Sequence, residues 1–371
     1  FLNMMFVLIV PLVFFSISSS ICNMKQMNTV GKVIANIIII FIFTAVIVAL
    51  LAYAFMQLYN PLENIDKSVI IANLPEQSLS IGLSSADIFV NTFTVPDFLQ
   101  LFNKSNLLPL IIFSILLGLA TAYAGEKGKK LAEALDACSH VIMKMMSIIM
   151  YAAPIGLGCY FADTVGKIGG QVINGYMHVF ILYLILTVIC FFGLNSIYVF
   201  LAGGKQAFMA FWKNMLTPSL TAIATSSSAA CIPINIEASK KMGVPSAIAE
   251  TVIPLGTNMH KDGSVMGGVI KIIFLLTIFG HEAIISGNIF MVIGVALLVG
   301  AVMEAIPSGG MTGELLICSI FGFSPELAGT LMIISTIIDI PATLLNSTGN
   351  ITSSILVTRM TEGKSWINKI T

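Results

Sequence analysis

Long apolar runs separated by short polar links set the outline of this chain. Residues 1–22 are apolar around Pro11, and a polar link with Lys25 and Lys32 follows. The Ile-rich run 33–58 is long enough, at about 1.5 Å per residue, to cross a bilayer as a helix. Asn60 and Pro61 stop it, and the longest polar stretch, reaching to about residue 98, carries Glu63, Asp66, Glu76, Asp87 and Asp97. Further apolar runs cover 107–124, 131–161 with a break near Pro154, and 172–201. This pattern predicts an all-α polytopic membrane protein.

Beyond residue 201 the pattern changes. The segment 205–245 holds Pro218 and Pro233, and Ser226, Ser227 and Ser228 stand between two halves too short to span. It predicts a re-entrant hairpin with a serine-rich tip. The apolar segment 246–281 is interrupted by Gly256, Asn258, His260, Lys261, Asp262, Gly263 and Ser264. Irregular backbone at membrane depth is tolerated only where it is buried in protein or lines a polar cavity. Ionisable residues there mark function by default. A second hairpin is expected over 285–323, with Glu304, Pro307, Gly309 and Gly310 at its tip. A second broken helix is expected over 325–360, interrupted at Pro341 and Gly349. Hairpin followed by broken helix thus occurs twice, the internal symmetry of an inverted repeat.

Composition agrees: 57% of the 371 residues are hydrophobic and 10% charged, against about 25% charged in soluble domains. Mean hydropathy is +0.97. Net charge is zero, and no basic face or arm suggests nucleic acid. If the polar links alternate sides, most of the 18 basic residues fall on one side, including Lys127, Lys129, Lys130, Lys240, Lys241 and Arg359. That excess marks the cytoplasmic face and requires both hairpins to be re-entrant. The six cysteines lack metal-ligand spacing and read as free thiols. No HExxH, GxSxG or P-loop motif points to an enzyme, and no signal peptide is visible. Because Phe1 already lies in an apolar run, the sequence reads as one whose upstream helix is missing.

Four ordered motifs make the chain resemble the dicarboxylate/amino acid:cation symporter family, which includes the glutamate transporters and their prokaryotic homologues. They are Ser226-Ser227-Ser228 with Ile232-Pro233, and Ile253-Pro254-Leu255-Gly256 running into Asp262-Gly263-Ser264. Then come Ile306-Pro307-Ser308-Gly309-Gly310, and Asp339 followed by Asn346-Ser347-Thr348-Gly349-Asn350. The resemblance implies a glutamate-transporter-like elevator fold and a homotrimer in the cell membrane. A scaffold over 1–28 and 96–168 would hold the trimer. A mobile domain over 29–59 and 169–371 would carry the solute, with 60–95 as an extracellular loop.

Residue by residue, the resemblance implies that Asp339 holds a substrate amino group, with Thr343 and Asn346 on the same helical face. A structural ion pair of Asp339 with Lys261 or Lys271 is the alternative, because a buried carboxylate needs a partner. Ser228 and the amides near it, at the positive end of a half-helix, would take a carboxylate. Ser226, Ser227, Ser264, Pro307 and Gly310 would complete the pocket. Ala342 stands where acidic-substrate members carry Arg, and Ala cannot clamp a side-chain carboxylate. A small, neutral amino acid is therefore expected, or a carboxylate held differently.

Cation sites are implied at Thr44, Gly256, Asn258, His260, Asp262, Asn346 and Asn350. The set departs from the family: His260 replaces an Asn, Lys261 a Met, Asn350 a carboxylate, and Phe41 and Ala45 a Tyr and a Ser. Hard cations want oxygen ligands and negative charge. Either sodium still binds at fewer sites, or Lys261 is a tethered cation in place of sodium and His260 carries a proton. No cofactor beyond a coupling Na+ or H+ is expected. A channel is the alternative of a different class.

Overall fold

The computed structural model describes residues 2–24, 31–59, 94–103, 106–152, 170–281, 285, 287–303, 311–363 and 366, with isolated positions between 155 and 166. Its helices, in chain order, are α1 (Leu2–Met24), α2 (Gly31–Leu58), α3 (Leu107–Tyr123), α4 (Glu126–Met150) and α5 (Gly170–Val188). A π-helical turn, Ile189–Leu194, leads into α6 (Asn195–Asn214), which kinks at Gly203 and Gly204. Then follow α7 (Leu216–Thr225), α8 (Ser228–Lys241), α9 (Ser246–Met259), α10 (Asp262–Ile278), α11 (Ile289–Val302), α12 (Met311–Phe321) and α13 (Ala328–Glu362). No strand occurs among the described residues. Three stretches, Ala35–Leu58, Gly175–Asn214 and Pro325–Glu362, are long and apolar enough to cross a membrane.

The chain divides into two compact units. One gathers residues 1–29, 66–172 and 310–333. In it α1 lies along α3, where Gly118 leaves room that a Cβ, 2.7 Å from Ile21 Cβ, would fill. The hydroxyl of Ser18 donates to the Ser114 carbonyl, and Ser19 Oγ donates to Asp136 Oδ1 at 3.0 Å, tying α1 to α4. Polar side chains inside an apolar bundle thus find partners across helices, as burial demands.

The other unit gathers residues 30–65, 173–309 and 334–371. Helix α10 is buried along its whole length, so its run of apolar residues and small glycines is a core helix, not an amphipathic one. α2 and α11 pack on it. Within 205–245, where a hairpin is expected, lie the short helices α7 and α8, packed on each other and joined at Ser226 and Ser227. The break expected in 246–281 is confined to His260 and Lys261.

One expectation fails. The second broken helix, placed at Pro341 and Gly349, is a continuous helix, α13, running through both positions. Most of its polar run finds partners without opening the backbone. The hydroxyls of Thr348, Ser354 and Thr358 donate back to carbonyls three or four residues earlier at 2.7 Å. Asn346, Ser347, Asn350 and Thr352 reach sideways to neighbouring elements, while Ser353 Oγ is buried with no partner among the described residues. Pro341 removes one N–H from the ladder, and surrounding packing holds the rest.

Candidate functional site

The break between α9 and α10 spans two residues. The His260 N–H donates to the Gly256 carbonyl at 2.8 Å, closing α9, and the Lys261 carbonyl accepts from Val265 N–H at 2.9 Å, opening α10. Between them His260 adopts extended backbone and Lys261 a non-helical one, φ −137° and ψ 79°. His260, Lys261 and Asp262 are all buried. Asp262 sits in the first turn of α10, where the helix end favours negative charge.

Three of the expected cation residues converge on the ring of a fourth, His260. Nε2 lies 2.7 Å from Thr44 Oγ1 and 3.0 Å from Asp262 Oδ1. Nδ1 lies 3.0 Å from Asn350 Oδ1. Thr44 can donate its own proton back to the Ile40 carbonyl at 3.2 Å, which leaves its oxygen to accept from the ring. A carboxylate at one ring nitrogen and an amide oxygen at the other suit an imidazolium, which donates from both. Phe41 stacks on the ring at 4.3 Å, nearly parallel, a face that attracts a cation. Asn350 Nδ2 is buried with no partner among the described residues. Turned over, that amide would donate to the Nδ1 of a neutral ring, so the pair keeps a bond in either ring state. Gly256 makes room for this, since a Cβ there would lie 2.2 Å from Asn350 Oδ1.

The other expected cation residues are placed elsewhere. The Asn258 side chain is exposed and donates to the Pro254 carbonyl; its own carbonyl accepts the Lys261 ammonium at 2.7 Å. The same ammonium donates to the Met303 carbonyl at the end of α11. The Gly256 carbonyl is taken by His260 N–H. Asn346 is locked to Ser264: its Oδ1 accepts from Ser264 N–H at 3.1 Å and its Nδ2 donates to Ser264 Oγ at 3.0 Å. Glu250 pairs with Lys240 on the surface, and Lys271 donates to Ser335 Oγ at 2.9 Å.

Helix α13 carries the expected substrate face. It runs antiparallel to α10, with Ser264 at Asn346 and Lys271 at Ser335. Their backbones nearly touch: a Cβ on Gly263 would lie 2.5 Å from the Ala342 carbonyl oxygen. Tyr183 on α5 caps the same spot by donating to the Gly263 carbonyl. Helix α8 runs alongside α13 in the same direction, joined by Asn235 Nδ2 to Ser347 Oγ at 2.9 Å and by Ser354 to Ser239. Ser228 lies seven residues before Asn235, about 10 Å along the α8 axis.

Asp339, Thr343 and Ser228 share one property. None of their side chains makes a hydrogen bond or ion pair among the described residues, although Thr343 and Ser228 are buried. The structural pairing of Asp339 with Lys261 or Lys271 is therefore not what the lysines do. A carboxylate, a hydroxyl and the positive end of α8 could together take a solute with an ammonium and a carboxylate. Ser227 is spent as the cap of α8, accepting from Ala230 N–H, and Ser226 holds the tip in left-handed backbone, φ +46°. Pro307 and Gly310, with Glu304, lie outside the described residues. The sequence reading missed Asn235, Tyr183 and the Met303 carbonyl, and took Phe41 for a lost ligand. A lone Asn inside the hairpin and a Tyr inside an apolar span were the available signals.

A sequence model described as the sodium:dicarboxylate symporter family matches residues 1–360. The chain is 26% identical over 367 residues to a proton/sodium-glutamate symport protein of Bacillus subtilis (strain 168), covering 97% of this chain and 84% of that one. It is 27% identical over 296 residues to a C4-dicarboxylate transport protein of the same organism, covering 79% and 70%. It is 26% identical over 369 residues to C4-dicarboxylate transport protein 2 of Ralstonia nicotianae, covering 96% and 81%.

Proposed function

Because this chain belongs to the sodium:dicarboxylate symporter family, a cation-coupled transporter of the membrane and not an enzyme, we propose that it moves a small neutral amino acid coupled to a proton carried at His260. Asp339 takes the substrate ammonium, Thr343 its neighbouring polar atoms, and Ser228 with the amides at the start of α8 its carboxylate. Ala342 offers nothing to a side-chain acid. The unit carrying these residues moves as an elevator relative to a scaffold, in a homotrimer of the cytoplasmic membrane.

The observation that carries the coupling is the His260 ring. The oxygens of Thr44 and Asp262, which would ligate a metal ion, point instead at Nε2. A proton bound there supplies the positive charge that the Asp262 carboxylate calls for, with no room needed for another ion. The relatives' names supply the second reading, an acidic amino acid or C4-dicarboxylate as substrate.

The test is uptake into proteoliposomes with labelled alanine, serine, glutamate and succinate, driven by an inward proton or sodium gradient. Proton-driven accumulation of a neutral amino acid above equilibrium is expected. Glutamate or succinate outcompeting alanine and serine overturns the substrate assignment. Drive by sodium alone overturns the proton assignment, and flux without accumulation would mark a channel.

A further inference from the structure

We propose that the Lys261 ammonium is a resident cation, filling a cradle between two helix ends and clamping α11 to the α9–α10 break, so that no dissolved cation is needed there. The inference rests on reading the chain as a cation-coupled symporter.

Asn258 lies in the last turn of α9 and Met303 is the residue that ends α11. The carbonyls at a helix C-terminus lack intrahelical partners and carry partial negative charge. Two such ends brought face to face repel unless a cation stands between them. Lys261 places one there, donating to both carbonyls, with only 2% of the residue exposed. Its backbone opens α10, a positive helix end, so its side chain reaches away from an unfavourable end to two favourable ones.

The fit of α11 against the break is close. A Cβ on Gly300 would lie 2.3 Å from Val265 Cγ2 and 3.4 Å from the Lys261 carbonyl oxygen. Carbonyl oxygens are also the ligands that hard cations choose. The cradle is thus suited to an alkali ion, and the ammonium excludes one. It adds no ion to the transported set, leaving His260 as the coupling site.

The experiment measures sodium response without any solute. Thermal unfolding in detergent is followed as NaCl replaces choline chloride at constant ionic strength, alongside equilibrium binding of 22Na+. Wild type and Lys261→Arg should show no saturable response. Lys261→Met and Lys261→Gln should bind 22Na+, and their midpoints should rise by about 5 °C at about 100 mM NaCl. Wild type responding like the variants overturns the proposal, as do folded variants that ignore sodium. Failure of both neutral variants to fold in NaCl as well as in choline also overturns it, because an open cradle should accept the ion. Since neither readout involves transport, failure of the symporter reading shows only in the proteoliposomes.

Discussion

His260 Nε2 and Asp262 Oδ1 meet at 3.0 Å across a helix break, with both residues buried. Removing one partner of a buried charged pair costs about 3–5 kcal/mol. His260→Gln and Asp262→Asn are each therefore expected to unfold at a clearly lower temperature than wild type. The double variant His260→Gln, Asp262→Asn should recover most of that loss, since no charge is stranded. Neither variant lacking His260 should show proton-driven uptake. Stability loss in the double variant equal to the sum of the singles would show that the two side chains do not interact.

Asp339 is the converse case, a carboxylate with no hydrogen bond or ion pair among the described residues. Asp339→Asn should leave the unfolding temperature unchanged or raise it, because a half-buried charge is removed and no bond is lost. Solute uptake should fall by at least about tenfold if the lost charge–ammonium bond contributes about 1.5–3 kcal/mol. A stability loss with uptake retained would assign Asp339 to structure instead.

Glycine at 256 is required by the approach of Asn350. Gly256→Ala puts a methyl group 2.2 Å from Asn350 Oδ1, and overpacking of this kind costs about 1–3 kcal/mol. Displacing the amide should also change the pH dependence of uptake, since Asn350 faces His260 Nδ1. Measuring uptake against pH in the variant and wild type checks this, and an unaltered profile would separate Asn350 from the proton.

The link between α8 and α13 runs through Asn235. Asn235→Ala removes two bonds to Ser347, leaving buried polar atoms unpaired at a cost of about 1–3 kcal/mol. Because these bonds tie α8, which carries Ser228, to α13, which carries Asp339, affinity for the solute should weaken along with stability. Competition binding alongside unfolding reads both.

Ala342→Arg tests the substrate assignment from the other side. A guanidinium on that turn of α13 can clamp a carboxylate bidentately. The ratio of glutamate to alanine affinity should rise by at least about tenfold, the equivalent of about 1.4 kcal/mol. An unmoved ratio would show that position 342 does not face the solute.

The hairpin at 205–245 and the break near His260 were legible because serine-rich and ionisable residues have no other place at membrane depth. Thr44, Asp262 and Asn350, which surround His260, were each picked from the sequence. Their mutual geometry was not, because Thr44, His260 and Asn350 are far apart in the chain and only packing brings them together. The break at Pro341 and Gly349 was misread for a related reason. Polarity in an apolar helix signals that partners are needed, and it does not say whether they come from an opened backbone or from neighbours. In α13 they come from Ser264, Asn235 and hydroxyls of the helix itself. At Asn258 the group engaged is the main-chain oxygen, which the residue type does not announce.

His260 and Lys261 are consecutive, yet they are moored to different neighbours: one to α2 and α13, the other to α9 and α11. They share a single peptide plane. A rotation of that plane large enough to release the imidazole also drags the lysine from its oxygens. Under the proposed function, a shift of the backbone at this break would disturb the proton site and the lysine anchor together.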